Sequence, residues 1–183
     1  MSWTIDPSHT RAEFAVKHLM ISTVRGQFTD INGTVDFNEN DPTKSKVDVQ
    51  IGVASLLTRD EKRDAHLKSP DFFEVEKYPT MIFKSKRATK IDPLHGKLVG
   101  DLTIRDVTKE VTLDVDYAGQ AKTPWGTTSA GFTASTTINR KDWGLNWNVA
   151  LETGGVLVGD DVKINLEVEI VKQAETEKQA VAA

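Results

Sequence analysis

TRDEKRDAHLKSPDFFEVEKY, Thr58 to Tyr78, is the one long stretch of this chain that breaks a β pattern. Thr58 followed by Glu61 has the form of a capping box, in which each side chain satisfies a free amide at a helix start. Charges and a single His follow, and Ser69-Pro70-Asp71-Phe72-Phe73 then reads as a second short helical turn. An island of helix and charge in an otherwise β sequence reads as a plug, lid or connection over a sheet or barrel.

On both sides of the island the residues alternate with period 2, the mark of half-buried strands. Ala12, Phe14, Val16 and His18 share one face, with Arg11, Glu13 and Lys17 on the other. Val24, Gly26 and Phe28 alternate, then Ile31, Gly33, Val35 and Phe37 alternate one residue out of step. That slip predicts a bulge or bend near Asp30, as barrels need at corners. Val47, Val49, Ile51 and Val53 form the next apolar face. Downstream, strands begin just after Pro79 and at Lys97, the latter with Leu98, Gly100, Leu102 and Ile104 inward. Asp106 to Lys109 reads as a tight connection into Val111, Leu113, Val115 and Tyr117. Phe132, Ala134, Thr136 and Ile138 follow, and the last strand alternates from Val162 to Ile170. Trp3 to Pro7 reads as a short lead-in.

About eight strands joined mostly by short turns make an antiparallel barrel or sandwich. One apolar face per strand favours closure, because an open sheet leaves long exposed edges. An eight-stranded barrel is either filled by its own side chains or holds one small ligand, and periodicity does not choose between them.

The 183 residues suit one domain, assigned to 1–172, with a flexible polar, Ala-rich tail over 173–183. A net charge of −4 argues against a nucleic-acid partner. No apolar run reaches the roughly 20 residues that span a bilayer. The N-terminus has neither the basic nor the apolar region of a signal peptide, which gives a cytoplasmic expectation. With no cysteine there is no disulfide, thiolate catalysis or Cys-ligated zinc.

The four histidines, His9, His18, His66 and His95, match no metal or catalytic spacing, and no nucleophile elbow or phosphate loop is present. His18 shares a face with Phe14 and Val16. It is either a hydrogen-bonded core residue or a polar anchor on a cavity wall. The charges from Arg59 to Asp64 are helix-surface pairs and caps, or else Arg63 and His66 guard a cavity entrance. Trp143 and Trp147 line a pocket or cover a barrel end. No catalytic residue, metal site or cofactor is assigned.

Several blocks resemble one family. Trp3-Thr-Ile-Asp-Pro-Ser-His9, Phe14-Ala-Val-Lys-His18, Arg25-Gly-Gln-Phe28, Arg63-Asp-Ala-His-Leu67, Ser69-Pro-Asp-Phe-Phe73, Tyr78-Pro79, Gly100-Asp-Leu-Thr-Ile104 and Asn139-Arg140 are similar, in order, to those of YceI-like proteins. That resemblance covers about residues 3 to 171. It implies an all-β, eight-stranded antiparallel lipocalin-like barrel with a helical insertion near 58–73. It also implies an elongated apolar cavity for a polyisoprenoid, isoprenoid quinone or fatty-acid derivative. The candidate ligand-binding residues are then Phe14, Val16, His18, Phe28, Val35, Phe37, Val49 and Ile51, followed by Phe72, Phe73, Phe83, Leu102 and Trp143. The expected function is a lipid carrier, not an enzyme, with a homodimer as an open option. The alternatives are an enzyme acting on a lipid-like substrate and a ligand-free stress-response barrel. Asp106 stands where the family commonly has Gly, which predicts a local change of loop geometry.

Overall fold

A strand with one apolar face is stable when that face is covered and its edges are paired, and closure into a barrel meets both needs. The computed structural model describes residues 3–172; the expected tail over 173–183 lies outside them. In chain order the strands are β1 (Trp3–Ile5), β2 (Arg11–His18), β3 (Ser22–Phe28), β4 (Ile31–Asp36) and β5 (Lys46–Gly52). Helix α1 (Glu61–Lys68) precedes β6 (Thr80–Lys90), β7 (His95–Ile104), β8 (Val107–Lys122), β9 (Thr128–Asn139) and β10 (Val158–Lys172). The hydrogen-bonded order is β1-β4-β5-β6-β7-β8-β9-β10, and β1 pairs back to β10. Eight antiparallel strands therefore close on themselves, and the β2–β3 hairpin extends from β10.

Long strand β10 explains how ten strands arise where the sequence suggests eight. One edge of β10 pairs with β9 from Asp161 to Lys172. The other pairs with β2 from Val158 to Glu167 and then with β1 at Ile170 and Val171. Strands β1 and β2 are thus one strand line interrupted by a turn at Asp6. Similarly β3 and β4 are one line broken at Thr29-Asp30, where the sequence slips phase. The Ser55 hydroxyl accepts from the Thr29 and Asp30 amides at 3.1 Å each and fixes the break.

Trp3 is not a lead-in. It is fully buried in β1, paired opposite Val35, with its ring edge-on to Phe37 at 5.8 Å. Three residues were too short a run for alternation to register as a strand.

The island also departs from its sequence reading. The helix is capped by Asp60, whose carboxylate accepts from the Arg63 amide at 2.9 Å. The Thr58–Glu61 capping box does not form. Thr58 is buried instead, donating its amide and hydroxyl to the Asp64 carboxylate at 2.8 and 2.5 Å. Arg59 between them takes a left-handed φ of 63°, which turns the chain before the helix can start. After α1, Ser69 to Phe73 forms hydrogen-bonded turns, with the Phe72 amide bonded to the Ser69 carbonyl at 3.0 Å. The β7–β8 connection is tighter than the sequence suggests: Ile104 pairs with Val107, leaving Arg105-Asp106 as the turn. The left-handed residue there is Arg105, at φ 57°.

The interruption between β1 and β2 is held by side chains. Ser8 donates its hydroxyl to Asp6 at 2.6 Å, and the His9 ring shares a hydrogen bond with the other Asp6 oxygen at 2.9 Å. The Ser8 and then the His9 hydrogen bonds bring the Asp6 carboxyl down to about 2 from its usual 3.8. The Asp6 bond, with the Glu169 charge second, raises His9 above its usual 6.5.

Two predictions follow from closure. Trp3→Ala removes a fully buried ring from the strand that seals the barrel, and a loss of about 3–5 kcal/mol in urea unfolding is expected. The Asp6–His9 pair contributes stability that the raised His9 loses as pH climbs through its folded pKa. The lowered Asp6 loses its share as pH falls through about 2, so the full contribution spans pH 3.8 to 6.5. Asp6→Asn is expected to bring the His9 pKa down toward 6.5 in an NMR titration, and an unchanged His9 would contradict the pairing.

Candidate ligand-binding cavity

Inward-facing side chains do not fill the barrel. A cavity of about 580 Å³ lies beneath α1, walled by residues of β2 to β10 and of the covering segment. Its volume falls within the roughly 300–1,000 Å³ usual for small-molecule sites. Phe14, Val16, Val49, Ile51 and Leu102 are only half-buried although they face inward, because what they expose is cavity surface.

The wall depends on where the strands part. Before Asp30, β3 has no partner on its outer edge among the described residues except one bridge, in which Gln27 and Leu57 exchange amide–carbonyl bonds at 3.0 Å. Residues 53–79 fill the remaining gap. Phe28 joins the two sides, its ring 5.7 Å from Phe14 on β2 and 5.7 Å, edge-on, from Phe73 of the cover. Gly26 is needed here, since a Cβ would overlap the Phe14 ring that lies across it and crowd Thr58 Cγ2 at 2.9 Å.

Over the cavity, His66 of α1 packs edge-on against Trp147 at 4.6 Å and Phe72 at 5.2 Å, and shares a 2.8 Å hydrogen bond with Asp71. Lys62, Arg63, Lys17 and His18 are the other basic side chains at this end of the lining. Arg63 is tied back to Thr58, donating from Nε to the hydroxyl at 2.8 Å and from Nη2 to the carbonyl at 2.7 Å. His18 is half-buried, and its ring has no hydrogen-bond partner among the described residues. The lining is mostly apolar, and its charged residues are basic except Glu13.

Arg140 holds the segment that carries Trp147. Its guanidinium is 4% exposed and donates to the carbonyls of Gly159 at 2.8 Å, Trp147 at 2.9 Å and Leu145. Burial loosens its hold on the proton relative to an exposed arginine, and the Asp160 carboxylate 3.7 Å away opposes that effect. The β9–β10 connection is thereby fixed to the start of β10 and Trp147 is set over the cavity.

Eleven of the thirteen sequence candidates line this cavity: Phe14, Val16, His18, Phe28, Val35, Val49, Ile51, Phe72, Phe73, Phe83 and Leu102. Phe37 lines a second, smaller cavity toward the opposite end of the barrel. Trp143 lines neither; it is buried, with its indole N–H donating to the Leu102 carbonyl at 3.0 Å. Of the two tryptophans, Trp147 takes the cavity position. Lining residues outside the candidate set include Ile31, Met81, Leu113, Arg140, Ile164 and Leu166. Leu113, Ile164 and Leu166 had the same period-2 signal as those chosen. Arg140 gave none, because its role depends on carbonyls brought together by the fold. Away from the cavity, Asp6, His9 and Glu169 place three potential metal-ligating atoms within 4.8 Å of one another. Their mutual hydrogen bond and charges already account for that exposed cluster.

The family model described as the YceI-like domain matches residues 3–170. The chain belongs to the YceI-like family. UPF0312 protein SA2479 of Staphylococcus aureus is 41% identical over 169 residues, 92% of this chain and 96% of that protein. The crystal structure of the Campylobacter jejuni YceI protein superposes with a TM-score of 0.74 at 38% identity, covering 86% of this chain and 90% of that one. A polyisoprenoid-binding domain from Saccharophagus degradans shares the fold, with a TM-score of 0.65 at 11% identity over 93% and 98% of the two chains. The closed barrel expected from the YceI-like blocks is the barrel observed. No helix among the described residues is long and apolar enough to cross a membrane.

Arg140→Lys is expected to destabilise this YceI-like barrel by about 2 kcal/mol or more, because an ammonium cannot serve the carbonyls that the fork reaches. Amide exchange should quicken in residues 145–148 first, and uniform loosening of the whole barrel would count against the clamp.

Proposed function

We propose that this protein binds and carries a long amphiphilic lipid, with its apolar chain in the 580 Å³ cavity and its polar end at the basic mouth. The candidates are a polyisoprenoid, an isoprenoid quinone or a fatty-acid derivative. The observation that carries this reading is a cavity lined mostly by apolar side chains, whose few charged neighbours are basic except Glu13. The polyisoprenoid-binding domain of S. degradans, which has the same fold, supports the choice of ligand class.

The energetics suit such a cargo. Each buried CH₂ is worth about 0.8 kcal/mol, so a few isoprene units outweigh the cost of ordering a flexible chain. Affinity then comes from length and apolarity, while the mouth sets orientation. In this reading the protein holds the lipid without altering it.

Native mass spectrometry of the purified protein, followed by organic extraction, is expected to recover an intact lipid. Val16→Arg, which sets a charge on the cavity wall between Phe14 and His18, is expected to lower lipid affinity by about tenfold or more while circular dichroism stays β. A wild-type protein that holds neither native nor added lipid would end the carrier proposal. Recovery of a chemically converted lipid would point to an enzyme.

A further inference from the structure

The smaller cavity, about 340 Å³, does not belong to a separate part of the molecule. It shares Val35, Leu113, Leu166 and Val168 with the larger one. Val35 lies on β4 and Leu113 on β8, strands on opposite sides of the closed ring, while β10 stands midway between them and supplies Leu166 and Val168. The four side chains form a partial girdle, an arc that runs from β8 through β10 to β4.

Successive inward residues cross that girdle on each strand. On β10, Ile164 faces the larger cavity, Leu166 and Val168 both cavities, and Ile170 the smaller one. On β8 the same passage runs from Val111 through Leu113 to Val115. The two spaces are therefore stacked chambers of a single barrel. The girdle consists only of aliphatic side chains, so neither a hydrogen bond nor an ion pair has to break for an apolar chain to pass it.

We infer that the girdle and the smaller chamber set the length of chain this protein prefers: a lipid too long for the first chamber threads past Leu113 and Val168 and seats its far end in the second. This rests on the carrier function proposed above. The second chamber suits the terminal isoprene units of a prenyl chain, because Leu98, Val115 and Phe132 present apolar walls there. Two of the bases in its lining are already paired, Lys97 with Asp114 at 2.6 Å and His95 with Asp92 at 2.7 Å, so they are not held open for a headgroup and the chain enters tail first from the α1 end.

The test displaces N-phenyl-1-naphthylamine from wild type and from Val115→Trp with a series of prenols: geraniol, farnesol, geranylgeraniol and solanesol. Val115 touches only the second chamber, and Leu98→Trp, which enters that chamber from β7, controls for a local folding failure in β8. In wild type, affinity is expected to go on rising past the length that fills the first chamber. In either variant the short prenols should bind as in wild type while the longest loses about tenfold or more, the scale on which a filled apolar pocket discriminates by size. If wild type binds prenols and both variants keep its length preference, or lose short and long prenols alike, the inference is overturned while the carrier function stands. If wild type binds no prenol, both fall together.

Discussion

The pairing of three residues, Trp3 to Ile5, with β4 on one side and β10 on the other is what the rest of the structure depends on. Remove it and the sheet has two open edges, each a row of unpaired amides and carbonyls, and the apolar interior opens to water along a seam. Trp3 makes so short a strand sufficient. Its indole is fully buried against Val35, Phe37 and their neighbours, so hydrophobic burial at the seam supplements a small number of ladder hydrogen bonds. The Lys172 ammonium 5.5 Å from the Trp3 ring adds a contact from the last residue of β10.

Closure at one end permits a looser arrangement at the other. Because β1 and β4 complete the ring, β2 and β3 are free to run past it as a hairpin, and β3 need not pair with β5. The space so released is what the covering segment occupies. The segment is held by hydrogen bonds among Thr58, Asp64 and Arg63, and by aromatic contacts of Phe72 and Phe73, with Trp147 against Phe72. Helix α1 itself has no fully buried residue, so it is held by its ends and by His66 more than by an apolar stripe.

Much of the candidate site was legible because a strand shows its inward face directly in the sequence. Phe14, Val16 and His18 on β2, and Val49 and Ile51 on β5, could be placed without a structure. The resemblance to YceI-like proteins then supplied a reason for that face to be hollow. Where the structure differs from that reading, the cause is geometry that alternation does not record. Phe37 obeys the alternation of its strand yet lies beyond the girdle, since alternation reports a face and not a depth along the barrel axis. Trp143 and Trp147 sit in an irregular connection without period, so the sequence left both open between pocket and barrel end, and the Arg140 fork decides that Trp147 turns over the cavity. Thr58 looked like a helix cap from spacing alone, but a left-handed Arg59 moved the cap to Asp60.

By itself the sequence determined that the chain is β throughout with one helical interruption, that each strand has a single apolar face, and that the phase breaks near Asp30. These are local properties, written in side chains one or two residues apart. Tertiary structure alone decided that β1 is a strand, that β2–β3 lies outside the closed ring, and that the interior is hollow and divided in two. Each of those depends on the packing of residues more than a hundred positions apart, such as Thr4 beside Val171 or Val35 facing the same space as Val168. Local periodicity contains no information about which distant faces meet or how much room they leave between them.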